Sequence, residues 1–321
     1  MLRNNGRHNF RSPFGIQPSL VLDFAGTGTL DSRVTFSRNT TGTYYNSSGV
    51  LTTAAINAPR FDYNPTTLQS LGLLVEESRT NVLLNSLLDG TNLSTQIVTT
   101  TAIPYTLSFY GTGTIVLTGT NISTQVGTGA YPSRKVFTFT PTAGALTLTV
   151  TGTVQYAQLE AGSFATSFIP TTSSQVTRTS DNASMTGTNF SSWFNNAQGS
   201  LYGEVIDSGL NPWAVAASIN DKFYFRQTAS NSYSGVLGSG GVYFTTTLPV
   251  KFAGTYSGNT IVMSANGLTA QSQTGTAISG ATTLNIGNYN DSAFYQNGRI
   301  KKLAYYPIAL TATQLQALTE S

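Results

Sequence analysis

Cysteine is absent from all 321 residues, which excludes a structural disulfide, a thiol nucleophile and a cysteine-ligated zinc. Histidine occurs once, at His8, so neither a histidine-based triad nor a facial metal triad can be assembled within one chain. Charge is scarce: Asp, Glu, Lys and Arg make up 9% of the chain, against about 25% in an average globular protein. The net charge of +3 is too small to mark a nucleic-acid surface, and no basic stripe or stacking motif accompanies it. No apolar run approaches the ~20 residues of a membrane span. The amino terminus, MLRNNGRHNFRSPF, is charged and has no apolar core, so it does not read as a secretory signal.

What replaces the missing charge is glycine (31 residues) with abundant Thr, Ser and Asn, while aromatics reach 11%. That composition builds turns and sheet rather than disorder, which favours high charge and few aromatics. Residues 1–18 read as an extended arm broken by Gly6, Pro13, Gly15 and Pro18, with Arg3, Arg7 and Arg11 as anchoring charges. Period-two alternation then begins: Leu20, Leu22 and Phe24; Val34 and Phe36; and a hairpin over 44–51 with Gly49 at its turn. These elements form a β-rich cassette over 19–88, ending in Glu76, Glu77 and Arg79, which read as an ion-pair group at a module joint. Residues 89–170 alternate Thr with Leu or Phe, the pattern of a small sandwich with one wet and one dry face. Residues 171–184 read as a Ser/Thr linker, and 185–321 as a larger β-module. It closes on a short helix capped by Thr311, with Leu315 and Leu318 on its apolar side.

The segment YAQLEAGSFATSFIPTT (from Tyr156) sits at the joint. Tyr156, Gln158 and Glu160 alternate with Ala157, Leu159 and Ala161, a strand with two unlike faces. Ala161-Gly162-Ser163 turns the chain, Phe164 and Phe168 fold back as apolar plugs, and Pro170-Thr171-Thr172 leads out into the linker. Glu160 reads as a hinge residue or ion-pair partner, not a catalyst.

The ending NGRIKKLAYYPIALTATQLQALT (from Asn297) resembles the last strand and closing helix of concanavalin A-like and laminin G-like jelly rolls. YAQLEAGSFATSFIPTT resembles the closing strand of carbohydrate-binding-type sandwiches in phage structural proteins. LDSRVTFSRNTTGTYYNSSGVL (Leu30 to Leu51), APRFDYNP (Ala58 to Pro65) and LGLLVEESRTNVLLNS (Leu71 to Ser86) resemble the amino-terminal cassette of the same proteins. The resemblance implies an all-β fold of sandwich and jelly-roll modules in tandem, the last concanavalin A-like with a short C-terminal helix. It implies a non-enzymatic tailed-phage virion protein, in a tail fibre or decorating the capsid exterior and released by lysis. As partners it implies other virion proteins through the arm, further copies of itself as a homo-oligomer, with a trimer expected, and host surface glycan. The alternatives are a purely architectural subunit and, less well supported, a polysaccharide depolymerase. No cofactor, nucleic acid or membrane insertion is expected.

Sugar recognition needs aromatic faces for stacking and a few amides for orientation. The last module offers Trp213, Tyr233, Tyr243, Tyr289 and Tyr295 with Asn211, Asn288 and Asn290. Each taken singly reads as a core aromatic or a turn asparagine; as a group they form the glycan-site expectation. Calcium is the metal alternative, through Asp207, Asp221 and Asp291, yet aspartate in a turn commonly serves the turn itself. Glu204 lacks the second carboxylate that glycoside hydrolysis requires and reads as a solvent-face or ion-paired strand residue.

Overall fold

In a computed structural model, residues 14–207, 215–220, 222–229, 232–289 and 294–320 are described. The molecule is all-β with a short C-terminal helix. Strand Gly298–Tyr306 is its pivot. One edge pairs along Gln198–Val205; the other pairs with Ser70–Val75 through Gly298–Ile300 and with Leu20–Asp23 through Lys302–Tyr305. The sheet built around it runs outward to Gln271–Thr274 on one side and Arg60–Tyr63 on the other. Opposite Glu204 and Val205 the register slips by one residue at Lys301. This bulge lets Ile300 and Leu303, of opposite strand parity, both enter the same core.

A second sheet, running in order from Thr35–Ser37 through Asn182–Thr186, Thr283–Ile286, Val215–Ile219, Phe223–Ala229 and Ser232–Leu237 to Gly240–Thr245, faces the first. Leu201, Leu303 and Tyr305 of one meet Met185, Leu284, Ile286 and Phe225 of the other across a shared apolar core. The far side of the first sheet is covered by helix Ala312–Glu320, whose Leu315 and Leu318 pack on Tyr202 and Tyr306. Thr311 caps it as expected: its hydroxyl accepts from the Gln314 amide (3.3 Å) while its own amide donates to the Gln314 side chain (2.9 Å). Ile16, at the end of the expected arm, packs on this same layer; Arg3, Arg7 and Arg11 lie outside the described residues.

The small sandwich packs strands Gln96–Thr100, Gly144–Thr151, Thr114–Gly119 and Ser123–Val126 against Lys135–Phe139, Tyr105–Tyr110 and Gln155–Ala161, with Leu107, Phe109, Ile115, Leu117, Leu146, Leu148 and Leu159 between them. Alternation puts apolar residues inside and threonines outside, as the sequence pattern implies.

Two segments differ from their sequence reading. The 19–88 stretch does not fold apart: Leu20–Asp23, Arg60–Tyr63 and Ser70–Val75 join the first sheet of the larger sandwich and Thr35–Ser37 the second, while Gly42–Tyr45 and Leu51–Ala54 pair as a separate hairpin. Residues 171–184 are an exposed linker only over 172–175. Val176–Arg178 pairs with Arg79–Asn81, Asn182–Thr186 enters the second sheet, and Thr171 is buried with its amide donating to the Ser86 carbonyl. The Ser/Thr composition suggested solvation, which holds at 172–175; the buried stretches on either side pair their backbone groups.

Asn81, fully buried, ties the joint. Its amide nitrogen donates to the carbonyls of Ala157 (3.2 Å) and Ile169 (2.9 Å), and its oxygen accepts from the amides of Leu83 and Leu159 (3.1 Å each). Beside it lies a buried charge network. Asp181 pairs with Arg38 (2.9 Å) and Arg60, and Glu76 with Arg60 (2.8 Å) and Arg178 (3.4 Å). Glu76 also accepts from the amide and hydroxyl of Ser167 (2.7 and 2.6 Å), so the network clamps the exit of the small sandwich. The expected joint group is therefore split: Glu77 pairs with Arg79 (2.6 Å), while Glu76 turns inward.

Candidate functional site

A cleft opens between the small sandwich and the larger one, holding about 460 Å³ of space, part of it open to solvent. Its aromatic wall comes from four separate segments. Tyr131 packs on Tyr45 (5.3 Å between ring centres) and Tyr110 (6.2 Å), and Tyr110 meets Tyr156 edge-on (6.3 Å). The Tyr156 ring rests edge-on against buried Phe168 (5.5 Å). Phe168 and Phe164 do fold inward; the Arg79 guanidinium covers the Phe164 ring at 4.5 Å.

Tyr156 is positioned at a backbone cost. Strand Gln155–Ala161 shifts register between Gln155 and Gln158, and within that bulge Tyr156 takes φ +49°. A bulky residue in the left-handed region is an outlier that surrounding structure must enforce. The bulge turns the ring out of the strand's alternation and into the cleft. Burial pushes the phenols of Tyr45, Tyr110 and Tyr131 above the usual tyrosine range. At neutral pH all three are therefore uncharged rings with hydroxyls able to donate and accept.

The polar wall follows from Arg299. Its Nε donates to Asp62 (2.6 Å) and its Nη1 to Asp207, so one guanidinium holds both carboxylates. The other oxygen of Asp62 accepts from the Tyr45 amide (2.7 Å), fixing the aromatic wall to the charged one. Past Arg299 the cleft continues into a second lobe of about 490 Å³, lined in part by Thr166, Asp207 and Asn297. Arg134 lies in the wall common to both lobes, donating to the Thr166 carbonyl and the Ser108 hydroxyl, each at 2.7 Å.

Glu160 sits behind this wall, fully buried. It accepts from the amide and hydroxyl of Thr166 (2.8 and 2.7 Å) and from Gln158 (2.7 Å). It makes no ion pair within 4 Å among the described residues, so it is a hydrogen-bonded acid rather than the ion-pair partner expected. Burial pushes its carboxyl up, against the downward pull of the Thr166 and Gln158 bonds. The polar face of its strand is thus as buried as the apolar one.

Among the described residues, those expected to form a glycan site do not share one open face. Tyr233 is buried in the inter-sheet core. Tyr295 is also buried, its hydroxyl donating to Asn182 (2.9 Å), and Asn288 is fully buried against the same Asn182. No open ring face is left on Tyr233 or Tyr295. Tyr243 (57% exposed) and Tyr289, which meets Tyr224 edge-on, lie on the outer face of the second sheet. Trp213, Asn211 and Asn290 lie outside the described residues, as do Asp221 and Asp291 of the calcium alternative. Asp207 is held by Arg299, and Glu204 pairs with Lys301 (2.9 Å). The tyrosine cleft escaped sequence reading because its successive tyrosines are 21 to 65 residues apart in the chain. The Tyr44-Tyr45 pair and the lone Tyr131 are its only local trace.

No protein-family model matches the sequence, and no curated protein matches it. Among solved structures the chain is similar to a mutant NanB sialidase from Streptococcus pneumoniae, at 12% identity and TM-score 0.34 over 42% of this chain. It spans only 26% of that sialidase. It is also similar to the CBM40 of the Ruminococcus gnavus IT-sialidase bound to α2,3 sialyllactose, at 14% identity and TM-score 0.32, over 40% of this chain and 84% of that one. A third is the receptor-binding domain of botulinum neurotoxin C/D mosaic serotype, at 11% identity and TM-score 0.34, over 44% and 40% of the two chains.

Proposed function

We propose that this protein is a non-enzymatic saccharide-binding structural protein whose binding site is the tyrosine cleft between its two sandwiches. The observation that carries this reading is the wall of four packed tyrosines facing a paired Asp62–Arg299 group. Flat rings supply stacking faces, and neutral hydroxyls with a fixed ion pair supply directional hydrogen bonds to sugar hydroxyls. The strained bulge at Tyr156 supports a binding role, because such strain clusters at ligand sites. Against hydrolysis, Asp62 and Asp207 are bridged by one guanidinium and Glu76, the third carboxylate lining the cleft, is paired with Arg60, an arrangement unlike a free acid and a free nucleophile flanking a bond.

The resemblance of three sequence blocks to tailed-phage virion proteins supports a place on the particle surface, in a fibre or on the capsid. The irregular basic arm on a low-charge β-protein supports a homo-oligomer, a trimer anchored through residues 1–18. The purely architectural alternative has one observation in its favour. The outer face of the four-stranded sheet carries uncharged side chains such as Ile97 (68% exposed) and Val126 (55% exposed), suited to packing on a neighbour.

Glycan-array binding by the full chain, followed by titration of the best binder, tests the reading. Tyr131→Ala is expected to weaken binding about tenfold or more, since a stacked aromatic contributes on the order of 1 kcal/mol or above. Its thermal midpoint should move little, because Tyr131 lies outside the cores. Absence of any glycan binding would favour the architectural alternative.

A further inference from the structure

Arg134 differs from the other arginines around it. Arg33, Arg38, Arg60, Arg79, Arg178 and Arg299 each lie within 4.0 Å of a carboxylate. Arg134 makes no such ion pair among the described residues, although it is half-buried in the shared wall of the two cleft lobes. Of the five N–H groups a guanidinium carries, two are used, on Thr166 and Ser108. Its Nε is buried with no hydrogen-bond partner among the described residues. The acid behind it, Glu160, has its oxygens engaged by Thr166 and Gln158. Of the other cleft carboxylates, Asp62 and Asp207 are taken by Arg299, and Glu76 by Arg60 and Arg178. A cation so placed is costly unless something compensates it, and its planar fork is matched by a carboxylate.

We propose that the cleft takes a saccharide bearing a carboxylate, with its ring against the tyrosine wall and its carboxylate on Arg134. This rests on the saccharide reading above and narrows it. The two bonds to Thr166 and Ser108 hold the guanidinium plane in advance of binding, so little side-chain entropy is lost on capture.

The test uses the full chain and paired probes: a uronate tetrasaccharide and a sialylated trisaccharide, each beside its carboxyl-reduced, neutral counterpart. At least one acidic probe should bind about tenfold or more tightly than its neutral partner, and more weakly as salt is raised. Arg134→Gln should erase that preference and Arg134→Lys should keep part of it. Neutral probes binding as well as acidic ones, with Tyr131→Ala weakening both, would overturn the carboxylate inference and leave the saccharide reading standing. A folded Arg134→Gln protein that keeps the preference would do the same. Binding of no saccharide, or binding of inorganic sulfate or phosphate alone, would overturn both. The comparison of paired probes on the unaltered protein decides the matter even if Arg134→Gln fails to fold.

Discussion

Glu76 and Glu160 are both buried within a few residues of the module joint, yet their carboxyls are driven in opposite directions. For Glu76, burial raises the pKa, but Arg178, Arg60 and the Ser167 donors outweigh it and hold the group well below the usual carboxylate range. A depressed folded pKa contributes stability above the unfolded value of about 4.3, and that contribution is lost as pH falls toward the folded value. Glu76→Gln leaves buried arginines uncompensated and is expected to cost about 3–5 kcal/mol, read from urea unfolding at neutral pH. For Glu160 no cation is close enough to offset burial, so its pKa is raised. Its contribution is present below the unfolded pKa and is lost as pH rises through the folded one. Glu160→Gln should therefore gain on the unaltered protein as pH is raised from about 4 to 8, a trend visible in urea midpoints across that range. A difference between the two proteins that stays constant with pH would show that Glu160 titrates normally.

At the scale of elements, the strands were legible wherever one face is wet and the other dry. Thr114–Gly119 and Gly144–Thr151 alternate cleanly, and the Thr311–Gln314 cap was visible as a local pattern. What the pattern could not carry is a break in parity. The Lys301 bulge brings Ile300 and Leu303 to one core, and the Tyr156 bulge frees a ring from its strand; both depend on a partner strand distant in sequence. The turn at Gly162 was legible as a turn, while its tightness was not. Gly162 has φ +134°, and a methyl group there would lie 1.4 Å from an Arg79 nitrogen. Gly162→Ala is therefore expected to displace Arg79 from Glu77 and Phe164 and to cost about 2 kcal/mol. A thermal midpoint unchanged by that substitution would mean the turn has room to relax.

Across the whole molecule, the chain crosses itself in a way composition cannot reveal. Modules were expected in tandem because composition changes along the chain, with a Ser/Thr-rich stretch at 171–184. Instead strands between Leu20 and Val75 and between Asn182 and Tyr306 build one sandwich, and the small sandwich is an excursion between them that leaves and returns at the Asn81 joint. The cleft exists because of this path: Asp62 and Arg299 come from the shared sandwich, Tyr45 from the hairpin of Gly42–Tyr45 and Leu51–Ala54, and Tyr110, Tyr131, Arg134 and Tyr156 from the excursion. Residues 185–321 alone, though they carry the concanavalin A-like ending, lack strands Leu20–Asp23 and Ser70–Val75. They also lose Leu20, Leu22, Phe24, Phe61, Leu73 and Val75 from the core. Each such side chain contributes about 1.5–3 kcal/mol by burial, so losing six is comparable to the entire 5–15 kcal/mol that keeps a domain folded. The fragment 185–321 is thus expected to aggregate or to melt without a cooperative transition in circular dichroism. Co-expression with residues 1–184 should restore a cooperative melt near that of the intact chain. A fragment that melts cooperatively by itself at the intact chain's midpoint would show that the amino-terminal strands only decorate a jelly roll able to stand alone.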